Sequence, residues 1–392
     1  MIFDLFHSVS DPVIEGKALG TPRAVEYFLE QAVLAEELGA DTVWCAESHF
    51  SSETQKKTSE ATIPHFKGEV GLNCDSFQLF HLFFSRTKKI HFGTGIHNIV
   101  GGSGGPLASA ERVNFLHFLN QSFYGGTRKL RWGVASGRFP YQNSPFQITP
   151  RTEMERDLWS QTKRYIFLEA LEIFLRLLAG ETLSSSQVNT WSIAAKEVKD
   201  ELIQKKYSFP LPVEPRWKFE PLSLVPKDLP KDGLEIVLGS HDPAALELGL
   251  QFWDLSLFNL SFTSPEQIEK LQQEMFEKSK KAKRNWSRSR LPRTVMVFID
   301  QNRKKAYELA DSVLSNYIEA MRGTTLVPDK KVLLSRALVG DASEIREQLE
   351  PGAQRGFHQE DRIMLWFEFN QLDNQAIKQQ MRYFFENVVS KL

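Results

Sequence analysis

Three polar side chains stand in a row where a short apolar run ends. Thr42, Val43 and Trp44 are followed within a few residues by Glu47, Ser48 and His49. A carboxylate, a hydroxyl and an imidazole can move protons or meet a polar ligand, and histidine does so near neutral pH. Other apolar runs end in the same way. His7 closes the first run, His97 and Asn98 follow the third, Ser136 and Arg138 the fourth, and Ser240 and His241 the fifth. One such residue is ordinarily a solvated turn. Many can converge only if the runs are parallel strands, whose carboxyl ends share one face.

The elements between these tips fit that requirement. Short apolar strands are expected at 2–6, 42–44, 88–95, 130–134, 234–238, 254–258, 294–299 and 363–367, each followed by a helical stretch. Thr21-Pro22 and Thr149-Pro150-Arg151 read as a cap followed by a first-turn proline, Asp75 as a cap, and Gly39 as a left-handed helix stop. Eight strand–helix repeats in 392 residues predict an α/β fold, a (β/α)8 TIM barrel with insertions, ahead of a doubly wound open sheet. A proline-rich stretch at about 181–232 reads as an insertion in one domain spanning 1–392. The polar segments 51–74 and 322–340 read as loops that could form a lid.

Composition narrows the function. A net charge of −1 gives no reason to expect nucleic acid, and the basic run 278–290 reads as a solvated helix end. Two cysteines make no disulfide framework, and no window is long and apolar enough to span a membrane. The start MIFDLFHSVSDP lacks a basic signal region, so the expected compartment is cytoplasmic. The glycine-rich segment 101–106 lacks the register of a phosphate loop. No H-x-H or H-x-x-x-H pair supports a metal site, and no G-x-S-x-G elbow supports a serine hydrolase.

LGADTVWCAESHF resembles the "LGFDTVW..EHHF" second strand of the bacterial luciferase-like monooxygenases. TKKIHFGTG, GPLASAERVNFLHFL, RKLRWGVASG, GLEIVLGSHDPAALELGLQFWD and LVGDASEIREQL resemble later family segments in the right order. The resemblance implies a barrel that takes reduced FMN from a flavin reductase, uses O2, and oxygenates an apolar small-molecule substrate. It implies that the ring rests on a non-proline cis peptide, here Gly95-Ile96, and that Ala135 also binds the cofactor. It implies phosphate contacts at Ser136, Arg138, Arg151, Gly239 and Ser240. Glu47, Ser48 and His49 match the family's catalytic stretch, with Ser48 at the place of its working histidine. Serine has no pKa near neutrality, so His49, His7 or His97 would have to supply a proton-transfer group. F420-dependent hydride transfer, or flavin binding without catalysis, are the alternatives, and a homodimer is implied.

Overall fold

The computed structural model describes all residues except 51–66, 70, 138, 260–262, 324–326 and 328. Its strands are β1 (Ile2–His7), β2 (Thr42–Cys45), β3 (His91–Thr94), β4 (Leu130–Ala135), β5 (Leu234–Leu238), β6 (Ser256–Leu257), β7 (Arg293–Ile299) and β8 (Arg362–Trp366). All neighbours run parallel, in the order β6-β5-β4-β3-β2-β1-β8-β7. One bridge joins the two ends of that order. Asn259 N–H donates to the Pro292 carbonyl at 3.2 Å, and Thr294 N–H donates to the Asn259 carbonyl at 3.1 Å. The architecture is the expected (β/α)8 barrel.

The strands are apolar runs because parallel strands are covered on both faces. β2 and β7 are buried along their whole length. Helices α1 (Thr21–Leu38), α2 (Ser76–Arg86), α3 (Gly105–Phe123), α4 (Trp159–Leu178), α5 (Pro243–Phe252), α6 (Pro265–Lys281), α7 (Arg303–Ala320) and α8 (Asn374–Asn387) form the outer layer. Gly39 ends α1 at φ 86°, where the Ala40 N–H returns to the Ala35 carbonyl at 2.9 Å. Asp75 caps α2 by accepting from Phe77 N–H at 2.9 Å.

The barrel interior is layered. Near the amino ends of the strands, Asp4 accepts from Arg362 at 2.8 Å and from Trp44 Nε1 at 2.7 Å. Arg131 bridges Glu235 at 3.1 Å and Asp41 at 3.2 Å. Above this charged layer, Phe6, Trp44, Val237, Phe258 and Met364 form an apolar plug. The mouth lies beyond the plug.

Several expectations are corrected. α1 starts at Thr21 itself, with Gly20 before it, because Gly20 takes φ 85° and the threonine makes no cap bond. The long helix does not open at Thr149. Thr152 caps a short helix, Glu153–Asp157, by accepting from Glu155 N–H at 3.1 Å, and α4 follows only after a break at Leu158. The 322–340 segment is not all loop. It holds a helix, Lys330–Arg336, capped by Asp329, and a strand, Leu338–Gly340, paired with β7. Most of the 51–74 segment lies outside the described residues, but Gly68–Glu69 pairs with Asp11–Pro12. The proline-rich insertion carries a small antiparallel pair, Trp191–Ile193 with Leu211–Val213, and Ile193, Val198, Val213 and Leu224 join the main core.

Candidate active site

A cavity of about 500 Å³ opens at the carboxyl ends of the strands. That size suits a small organic ligand or cofactor. Its wall is made in part by backbone. Gly95, Ala135, Gly137 and Gly239, at the ends of β3, β4 and β5, all line it, and only Ala135 among them carries a side-chain carbon. A Cβ at three of them would meet a neighbouring side chain at once. A Cβ on Gly239 would sit 2.4 Å from Ile96 Cδ1, and one on Gly137 2.5 Å from Asn98 Nδ2. A Cβ on Gly95 would sit 3.0 Å from the Phe258 ring. The Gly95-Ile96 peptide is cis. The result is a flush surface, bordered by the side chains of Ile96 and Phe258, against which a planar molecule can lie.

Glu47 and His49 line the same cavity. The Glu47 side chain is fully buried, and its Oε1 is shared by His97 Nδ1 at 2.7 Å and His49 Nε2 at 3.3 Å. Its Oε2 accepts from Ser76 N–H at the start of α2, at 3.3 Å. Burial opposes the charge on Glu47. The adjacent His97, with the hydrogen bonds from His49 and Ser76, outweighs it and holds the carboxyl well below its usual range. Behind it, His97 Nε2 lies 3.0 Å from Ser109 Oγ on α3. Ser109, His97, Glu47 and His49 thus form one chain of contacts running from the interior to the cavity. Ser109 and His97 are sealed from solvent, so the serine has no access to a substrate.

Ser48 is placed otherwise. It does not line the cavity, and its hydroxyl accepts from Gln142 Nε2 at 3.3 Å. Alternation along the chain sends it away from the neighbours on either side. His7 also turns away. Its ring packs against Phe28 of α1 at 5.2 Å and accepts from Val9 N–H at 2.9 Å, and burial lowers its pKa. His7 therefore belongs to the strand–helix layer and not to the mouth.

The expected anion-binding residues are not brought together. Arg138 lies outside the described residues. Arg151 is exposed, and its guanidinium reaches the Pro215 carbonyl at 3.3 Å. Ser240 Oγ accepts from Asp242 N–H at 3.2 Å. Asp242 in turn caps α5, accepting from Ala244 N–H at 2.9 Å, and pairs with Arg164. The helix end after β5 therefore already holds a carboxylate. Ser136 instead borders a recess of about 140 Å³ beside the main cavity, lined also by Asn143, Ser144, Thr149, Trp159 and Lys163. Lys163, partly exposed, makes no ion pair among the described residues. The turn carrying Ser136 is braced by Asn143, whose Nδ2 donates to the Ser136 carbonyl at 2.9 Å while its Oδ1 accepts from Asn98 at 3.0 Å.

Gln142, Asn143, Phe258, Asn259 and Lys163 were not singled out from sequence. Phe258 and Asn259 follow β6 directly, so the strand-end rule applied to that strand would have found them. Lys163 lies in the second turn of α4, and Gln142 and Asn143 lie in irregular chain, where no period marks them.

Comparisons with known proteins bear on the fold and the family. The family model for luciferase-like monooxygenases matches residues 6–359. Among curated proteins no sequence match was found. Among solved structures, the monooxygenase RslO1 from Streptomyces bottropensis superposes with a TM-score of 0.72 at 17% identity, covering 100% of this chain and 99% of that one. The oxygenating constituent of 3,6-diketocamphane monooxygenase from Pseudomonas putida, solved with FMN, gives 0.62 at 14% identity, covering 100% and 98%. An F420-dependent secondary alcohol dehydrogenase, solved with an F420–acetone adduct, gives 0.56 at 15% identity, covering 99% and 98%. With the model match spanning most of its length, the chain belongs to the luciferase-like monooxygenase family.

Proposed function

We propose that this protein is a flavin-dependent monooxygenase that uses reduced FMN and O2 to oxygenate an apolar organic substrate. The observation that carries the reading is the flush wall of Gly95, Ala135, Gly137 and Gly239 in a cavity of about 500 Å³. A flat, nearly side-chain-free surface at four neighbouring positions suits a fused planar ring, and the named relatives include one solved with FMN. Gly95, Ile96, Ala135 and Gly239 would carry the ring. Ser136 and Lys163 fit its phosphate better than Arg151 does, because they share a recess next to the wall. When bound, reduced FMN supplies the electrons that activate O2.

The chain's own residues supply the surroundings. Ile96, Phe139 and Phe258 give the cavity an apolar side that limits water there. His49 and His241 both line the cavity, and His49, held by Glu47, is the one assigned here to give or take a proton. Glu47, kept ionised by His97, fixes the His49 ring. Ser48 takes no part in proton transfer on this reading.

Reductase-coupled O2 uptake across a panel of apolar substrates tests the reaction. Substrate-stimulated uptake with an oxygenated product supports it. Substrate-dependent reduction of F420, with no such uptake, would move the function to hydride transfer. The implied homodimer has a surface to match. Phe115 and Val225, exposed by half or more, line a groove with Phe77 and His81 between α2 and α3, and Leu82 and Phe123 are exposed nearby on the same helices. Sedimentation should show a dimer that Phe115→Asp dissociates, and a wild-type monomer at micromolar concentration would overturn it.

A further inference from the structure

We propose that Ser48 is a positioning residue that, through Gln142, latches the segment between the mouth cavity and its side recess. The inference gives a task to a residue that the flavin-type reading above leaves idle. Its consequence for cofactor binding rests on that reading, but the latch itself does not. Residues 136, 137 and 139–143 form a partition. Gly137, Phe139 and Gln142 line the cavity, while Ser136, Pro140 and Asn143 line the recess. Where the partition stands sets the width of both spaces, and so what they accept.

One set of bonds holds the partition from inside the barrel. Asn98, just past β3, donates from Nδ2 to the Gln142 carbonyl at 3.1 Å and to Asn143 Oδ1 at 3.0 Å. Asn143 Nδ2 donates to the Ser136 carbonyl at 2.9 Å and to the Gly137 carbonyl at 3.2 Å. The Gln142 side chain extends the hold to Phe139. Its Oε1 accepts from the Phe139 N–H at 3.1 Å, and its Nε2 donates to Ser48 Oγ at 3.3 Å. A glutamine side chain turns about three bonds, and ordering it costs entropy. A partner on the amide nitrogen keeps the oxygen aimed at Phe139.

Ser48 can serve as the anchor because it is fixed itself. Its N–H donates to the Asn73 carbonyl at 2.9 Å. Its Cβ lies so near Gly71 that a Cβ on that glycine would stand 2.8 Å away. The hydroxyl is short and accepts without bringing a charge. An imidazole at position 48 in the same rotamer is longer by a ring and would take the place of the Gln142 amide. A histidine and this latch therefore compete for one space. The rival account is that Ser48 is an ordinary half-buried turn residue whose bond to Gln142 holds nothing.

Amide hydrogen exchange, read by mass spectrometry, separates the two. It is measured on the full-length protein, Ser48→Ala, Gln142→Ala and the double variant, with thermal melts confirming that each folds. Ser48→Ala should speed exchange over 139–143 about fivefold, as expected for one lost hydrogen bond. The double variant should exchange there no faster than Gln142→Ala alone, because the two residues act as one unit. Ser48→His should open the segment at least as far as Ser48→Ala. Titration with reduced FMN should then show both single variants weakened by the same factor, about threefold or more. Unchanged exchange over 139–143 in Ser48→Ala overturns the inference, as does a double variant whose effects add. Protection kept in Ser48→His overturns it as well. An opened segment with FMN affinity equal to wild type overturns the positioning role. If exchange responds as expected but wild type binds neither FMN nor F420, the latch stands and the flavin-type reading fails.

Discussion

Replacing Glu47 by Gln removes one charge from a fully buried site while keeping the shape of the side chain. In the native protein the carboxylate is paired with His97 at 2.7 Å and His49 at 3.3 Å, and it accepts from Ser76 N–H. A hydrogen bond to a charged group contributes roughly 1.5–3 kcal/mol. The amide oxygen of the variant keeps one acceptor for His97, but an NH2 replaces the second oxygen, which accepts from Ser76 N–H, so the upper end applies, about 3 kcal/mol. An unfolding entropy of about 2.1 cal/mol/K per residue over 392 residues gives about 0.8 kcal/mol/K. The expected fall in Tm at pH 7 is then roughly 4 °C. The loss should depend on pH in a defined direction. The folded-state pKa of Glu47 lies below its ordinary value of 4.5. Its contribution to stability is therefore full above that value and is lost as pH falls, because the unfolded chain takes up the proton first. Calorimetric melts of both proteins at pH 7 and at pH 4 check this. The gap should narrow at pH 4. Equal melting temperatures at pH 7, or a gap that widens on acidification, would refute the assignment of Glu47 as a buried carboxylate held by its partners.

Two further substitutions test other parts of the account. Arg362→Met leaves Asp4 buried beside Trp44 without its closest counter-charge. It should cost about 3–5 kcal/mol, or roughly 4–6 °C in Tm, read by thermal denaturation. Lys163→Ala should weaken FMN binding tenfold or more, while Arg151→Ala should change it by less than threefold, since Arg151 is exposed and bonded to Pro215. Parallel titrations of the two variants decide which cation meets the phosphate.

Much of this architecture could be read from residue types. Parallel strands must be apolar on both faces, so runs such as Leu234–Leu238 stand out without an alignment. Gly39 and Asp75 marked helix ends because each has one physical use at that place. Shorter features escaped. Leu338–Gly340 has three residues, too few to show a period. The opening of the long helix was misplaced because Thr149-Pro150 and Thr152 offer competing caps, and only packing chose between them. At the site, the strand-end rule found Glu47 and His49 but could not tell that Ser48 and His7 face elsewhere. Which way a side chain turns depends on its register against its neighbours. Lys163 was hidden for a different reason, since a helix residue reaches a strand-end cavity only through tertiary packing.

Binding of a flavin-type cofactor at the barrel mouth is the claim on which the rest depends. The direct measurement is a calorimetric titration of the purified protein with FMN, reduced FMN and F420. Saturable binding of one cofactor per chain, strongest for reduced FMN and lost when Gly239→Leu disrupts the flush wall, is the predicted result. No binding of any of the three to a folded protein would contradict the account.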